Sequence, residues 1–139
     1  MHDLIRRQRA VEACVQRFVG KPYKPGVRDC VKLAGHAMHG MGRRVGLTKG
    51  VRYSSEAGAL KALRQAGFKT LMEAVDKTGL PRIAPAAALP GDIIAMEADD
   101  ANAFGCALVV YAGNGRVIGF HNGVGVVVQP ANYLAAWRV

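Results

Sequence analysis

Two Asn-Gly pairs, Asn114-Gly115 and Asn122-Gly123, stand between short apolar runs and constrain this chain more than any other feature. Asn-Gly supplies the two positive φ angles of a type I′ turn, so each pair predicts a tight antiparallel hairpin. The flanking runs read as strands over 92–97, 106–112, 116–121 and 125–129. Upstream of Gly91 the period changes. Leu4, Val11, Val15 and Phe18 recur at spacings of seven, four and three, which predicts a helix over residues 3–19 with that stripe buried. Gly20 ends it, and the two prolines of Lys21-Pro22-Tyr23-Lys24-Pro25-Gly26 force an irregular loop. A second helix begins at Asp29 or Cys30 and buries Val31, Ala34, Ala37, Met38 and Met41. Residues 43–53 form a basic connection, after which Ser54 or Ser55 caps a third helix carrying Leu60 and Leu63, closed by Gly67. Thr70 and Glu73 have the capping-box spacing of a short fourth helix. Helices followed by a meander predict an α+β fold in one domain, residues 1–139, mainly helical over 1–79 with an antiparallel sheet over 91–129.

A chain of 139 residues with 50% hydrophobic and 21% charged residues is long enough for one core and too apolar for a disordered segment. No run reaches the length of a membrane span, and the N-terminus lacks the apolar stretch of a secretory signal, so neither is expected. Cys14, Cys30 and Cys106 are odd in number and scattered, which argues against a disulfide framework. His36 and His39 lack a nearby third ligand, so no metal is expected, and no cofactor. Residues 1–69 hold 15 Lys/Arg against 4 Asp/Glu, while residues 70–139 hold 4 against 6. That asymmetry fits either a solvated face, with Arg6, Arg7, Arg9 and Arg17 exposed, or a face presented to an anionic partner. Only 6% of residues are aromatic and no nucleic-acid motif is present, which counts against nucleic acid.

Cys30 carries the chemistry of interest. A cysteine in the first turn of a helix meets unsatisfied N–H groups and the positive end of the macrodipole, which favour a thiolate. The same residue can equally be a small core side chain. Asp29 and Asp92 either bind substrate and orient a base, or cap the segments they begin. Tyr23 either lines a groove or packs the loop on the helix.

The run Gly20-Lys-Pro22-Tyr23-Lys-Pro-Gly26-Val-Arg28-Asp29-Cys30 resembles the nucleophile segment of the NlpC-type, papain-like cysteine peptidases. Leu89-Pro90-Gly91-Asp92-Ile93-Ile94 is similar to that family's lead-in to its first sheet strand, and Val110–Gly115 to the hairpin after its histidine-bearing strand. These matches span residues 18–121 and imply a papain-like fold in which Cys30 opens a helix packed on a small antiparallel sheet. The register of the family's histidine falls on Ala107, beside Cys106, and that of its third polar residue on Gly119. A chain that keeps Asp-Cys without the histidine resembles the phage and prophage tail-tip members of the family. That resemblance implies a structural component of a virion tail tip (baseplate), with other tail proteins as partners and release by lysis without a signal peptide. The alternative is an active peptidase or amidase on cell-wall peptides. Cys30 would then be the nucleophile, His121 the base, and the basic half a means of concentrating the protein on an anionic envelope polymer. His36 and His39 lie about 240° and 180° around the second helix from Cys30, out of reach of its sulfur.

Overall fold

The computed structural model describes residues 2–43, 47, 51–98, 104–129 and 132–139. Four helices precede the main sheet: α1 (Asp3–Phe18), α2 (Cys30–Gly40), α3 (Glu56–Gln65) and α4 (Leu71–Asp76). The last three start where a side chain satisfies a free N–H: Asp29 accepts from Lys32 N, Ser55 from Gly58 N, and Thr70 from Glu73 N. The Thr70–Glu73 box is only partly closed, because the Glu73 carboxylate accepts from Lys69 N at 3.3 Å rather than from the cap residue. Most of the expected basic connection over 43–53 (residues 44–46 and 48–50) lies outside the described residues. Among the described residues no helix is long and apolar enough to cross a membrane.

The strands are β1 (Arg82–Ile83), β2 (Ile93–Met96), β3 (Ala107–Gly113), β4 (Arg116–His121), β5 (Val124–Val128) and β6 (Tyr133–Trp137). They form one antiparallel sheet in the order β1-β6-β2-β3-β4-β5. Both Asn-Gly pairs adopt the positive φ angles a type I′ turn requires: Asn114 +54° and Gly115 +70°, Asn122 +51° and Gly123 +78°. The sheet extends beyond the expected 91–129 at both ends. β6 escapes a periodicity search because Tyr133 and Leu134 are exposed while the rest is covered on both faces: Ala135 and Trp137 join the core under the helices, while Ala136 packs on the other side with Ile94 and Val117. β1 is two residues long and exists through its pairing with β6.

The helices pack on one face of this sheet. Ile93, Ala95, Leu108 and Trp137 meet Ala34, Met38, Leu63 and Leu71 there, and Val110 and Ile118 meet Cys14, Phe18 and Leu33. The inward face of α1 differs from the expected one. Arg7, Ala10, Cys14 and Phe18 are buried, whereas Leu4 is 59% and Val15 36% exposed. Arg7, expected on a solvated face, is 3% exposed. The helix turns this residue inward because a buried carboxylate, Asp92, waits there.

Candidate functional site

The loop after α1 is folded back on the edge of the sheet. Gly20 N donates to Gly125 O (2.8 Å), Gly125 N to Lys21 O (3.0 Å) and Tyr23 N to Gly123 O (2.8 Å), so residues 20–23 cover the first half of the β5 edge. The loop then closes on Asp29. One oxygen of that carboxylate accepts from Lys32 N (2.8 Å); the other accepts from Gly26 N (2.8 Å) and from the Tyr53 hydroxyl (2.7 Å). Gly26 is required at this point. Its φ is +83°, and a Cβ would fall on the Tyr53 carbonyl oxygen. Asp29, 4% exposed, therefore ties together the loop, the start of α2 and the segment before α3.

Cys30 follows directly and packs against the core under the helices. Burial, together with the adjacent Asp29 carboxylate and the Cys106 thiol, outweighs a hydrogen bond from the Leu108 backbone and pushes the Cys30 thiol up to about 12. The cap that starts the helix thus opposes the effect expected of the helix start: it takes up one of the free N–H groups, that of Lys32, and sets a negative charge beside the sulfur. Cys30 is a protonated thiol at neutral pH. Tyr23 lies alongside. Its hydroxyl donates to Glu56 Oε1 (3.0 Å), its ring meets Phe120 edge-on with centroids 5.5 Å apart, and burial raises its phenol above the ordinary range.

The fold does not bring Cys30 and His121 together. Phe120 packs into the helix-side core against Phe18, so the next residue, His121, faces the other side of the sheet. There it lines a groove of about 500 Å³ with Met96, Val109, Val117, Val126 and Val128. Ala107 and Gly119, the positions on which the resemblance sets the family's histidine and third polar residue, line the same groove, so that register puts neither beside Cys30. A Cβ on Gly119 would stand 2.8 Å from Val109 Cγ1, so the valine already fills the space a side chain there would need. His36 is used otherwise: its ring packs edge-on to Phe18 at 5.7 Å.

Asp92 belongs to a separate buried cluster. It is 0% exposed and accepts from Arg7 Nη1 (2.8 Å), Val139 N (2.9 Å) and Leu89 N (2.8 Å), and Arg138 Nε stands 3.1 Å away as an ion pair. Arg7 also donates to Pro90 O, Val139 O and Asp3. This carboxylate locks α1, the turn before β2 and the residues after β6 to one another. Sequence reasoning missed Arg7, Tyr53 and Glu56. Only Arg7 left a trace, standing three, seven and eleven residues before Ala10, Cys14 and Phe18 on one helix face.

Helices packed on one face of an antiparallel sheet, one of them opened by the Asp29-Cys30 pair, form an NlpC/p60-like α+β fold. NlpC1 from Trichomonas vaginalis has the same fold, with a TM-score of 0.52 at 18% identity over 95% of this chain; the chain spans 43% of the length of that protein. RipD from Mycobacterium tuberculosis, described as a non-catalytic NlpC/p60 domain protein adapted to peptidoglycan binding, aligns over 96% of this chain and 97% of its own at 18% identity and a TM-score of 0.48. No curated protein matches the sequence. A family model described as a domain of unknown function (DUF6950) matches residues 4–139, and the chain belongs to that family.

Proposed function

We propose that this chain is an assembly component of a phage or prophage tail tip, built on the NlpC/p60-like fold without its peptidase chemistry. One observation carries the reading: Cys30 is held as a thiol beside the Asp29 carboxylate, with His121 on the far side of the sheet and with His36 and His39 turned away from the sulfur around α2. A cysteine nucleophile needs a thiolate and a base that can shuttle the proton to the leaving group. What the Asp-Cys segment supplies instead is a joint between the loop, α2 and the segment before α3. A tail component has use for such a joint, since neighbouring subunits need fixed surfaces.

The test is the pH profile of Cys30 alkylation in a Cys14→Ser, Cys106→Ser background, with and without His121→Ala. The expected reaction at pH 8 is at least about a hundredfold slower than that of an unstructured cysteine peptide, with no change on His121→Ala. Co-purification of the tagged chain with assembled tails is expected in the producing cell. A profile with its midpoint below pH 8 that moves on His121→Ala, together with cleavage of a wall peptide, would establish the alternative of an active peptidase or amidase.

A further inference from the structure

The outward face of α2 carries Lys32, His36 and His39 at i, i+4 and i+7, all within one helical stripe, and α2 contains no carboxylate. α1 runs alongside: Gly40 approaches Ala10, and Phe18 packs on His36. That alignment sets Arg17 beside His36 and leaves Arg6 exposed further along the same helix. Arg17 and Lys32 make no ion pair with any described residue; their side chains lie instead near the Phe18 ring (5.8 Å) and the Tyr53 ring (5.6 Å). Three of the four acids in residues 1–69 are committed elsewhere: Asp3 to Arg7, Asp29 to the helix cap and Glu56 to Tyr23. His36 sees only cations. Facing it are Phe18 and Arg17 from α1 and His39 from its own helix; burial first, then those two charges, hold its pKa below the ordinary histidine range.

We infer that this α1–α2 face binds a flexible, linear phosphate-ester polymer of the bacterial envelope, with Arg17, Lys32, His36 and His39 as its phosphate ligands. A histidine crowded by cations is charged when an anion sits among them, and Arg, Lys and both ring N–H groups of imidazolium are phosphate donors. The surface favours a bare polyanion over nucleic acid: among the described residues, α1 and α2 carry no exposed Phe, Tyr or Trp on which a base could stack. The choice of an envelope polymer rests on the proposed tail-tip role; the phosphate chemistry of the face does not.

The experiment uses the full chain and synthetic poly(glycerol phosphate), with duplex DNA and poly-glutamate at equal charge as comparisons. At pH 5.5, with both imidazoles charged beside the polymer, four phosphate contacts predict a log–log salt slope near −2.8, or about a fiftyfold loss of affinity between 50 and 200 mM salt. Arg17→Gln, Lys32→Gln and His39→Gln each shorten that slope by about 0.7; these three side chains are exposed, so the test does not depend on the packed His36. Binding tightens severalfold from pH 7.5 to 5.5 in the unaltered chain and stays flat in the His36→Gln, His39→Gln variant. Unchanged slopes in the variants, a flat pH profile in the unaltered chain, or DNA or poly-glutamate bound as tightly through the same residues would each overturn the proposal. Failure of the tail-tip reading shows separately, as absence of the chain from assembled tails while poly(glycerol phosphate) binding persists.

Discussion

Replacing Asp92 by Ala should be the most damaging single change in the molecule. The carboxylate is 0% exposed, and its removal strands the buried Arg7 guanidinium, whose side chain is 4% exposed, along with the N–H groups of Val139 and Leu89. Breaking a buried ion pair by deleting one partner costs about 3–5 kcal/mol, and the surviving Arg7 charge would keep only Asp3, 63% exposed, as its counter-charge. For a chain of this length that corresponds to a fall in Tm of roughly 10–20 °C. The partner change makes the reasoning sharper. Arg7→Met alone should also destabilise, but Asp92→Leu in the Arg7→Met background removes both charges of the pair and should recover part of the loss, while Arg138 and the N–H groups of Val139 and Leu89 stay without their partner. Urea titrations of the four proteins give the coupling energy directly. Asp92→Ala costing under about 1 kcal/mol, or the double change costing the sum of the two single ones, would refute the view that Arg7 and Asp92 are coupled as a buried pair.

Two further expectations concern the thiols and the sheet. Burial pushes Cys14 and Cys30 up to about 12 and Cys106 up to about 11, from 9.0 in an unfolded chain. Groups whose folded pKa is raised stabilise the fold fully below the unfolded value and lose that contribution as pH rises. Stability should therefore be flat up to about pH 9 and fall between 9 and 12, more gently in Cys30→Ala; an equally steep fall in a cysteine-free variant would show that thiols are not the cause. Gly119→Ala should cost about 1–3 kcal/mol through its encounter with Val109 Cγ1 at 2.8 Å, and Val109→Ala should relieve part of it when the two are combined; strict additivity in thermal melts would rule the contact out.

What the sequence makes legible is what local chemistry decides. The Asn-Gly pairs, the Ser55 and Thr70 caps and the Asp29 cap act through neighbours a few residues away, so their effect is written where they stand. Elements decided by distant partners are not. β6 has no alternation to detect because Tyr133 and Leu134 are exposed while Ala135, Ala136 and Trp137 are covered on both faces, and α1 buries Arg7 instead of Leu4 because Asp92, 85 residues later, needs a cation. At the site the same division holds. The position of Cys30 at a helix start is local, whereas its protonation depends on Asp29, Leu108 and Cys106 converging through the fold. His121 stands in the strand expected of it, but the phase of that strand is set by Phe120 entering the core against Phe18, and that turns the imidazole to the far face.

The place of β6 has a consequence for synthesis. It is the last strand in the sequence, yet it lies between β1 and β2, with Ile93, Ile94 and Ala95 all paired to it. During translation β2 through β5 can form their hairpins in order as they emerge, but β2 then presents an open edge of buried side chains, and β1 has nothing to pair with. Residues 133–137 close both gaps at once, and Trp137 supplies one of the largest fully buried side chains only then. A nascent chain stalled short of that strand would expose an unpaired, apolar strand edge, the feature that invites a second chain to add itself. Completion of this fold is thus a single late event, and chaperone demand should fall sharply as those five residues clear the ribosome.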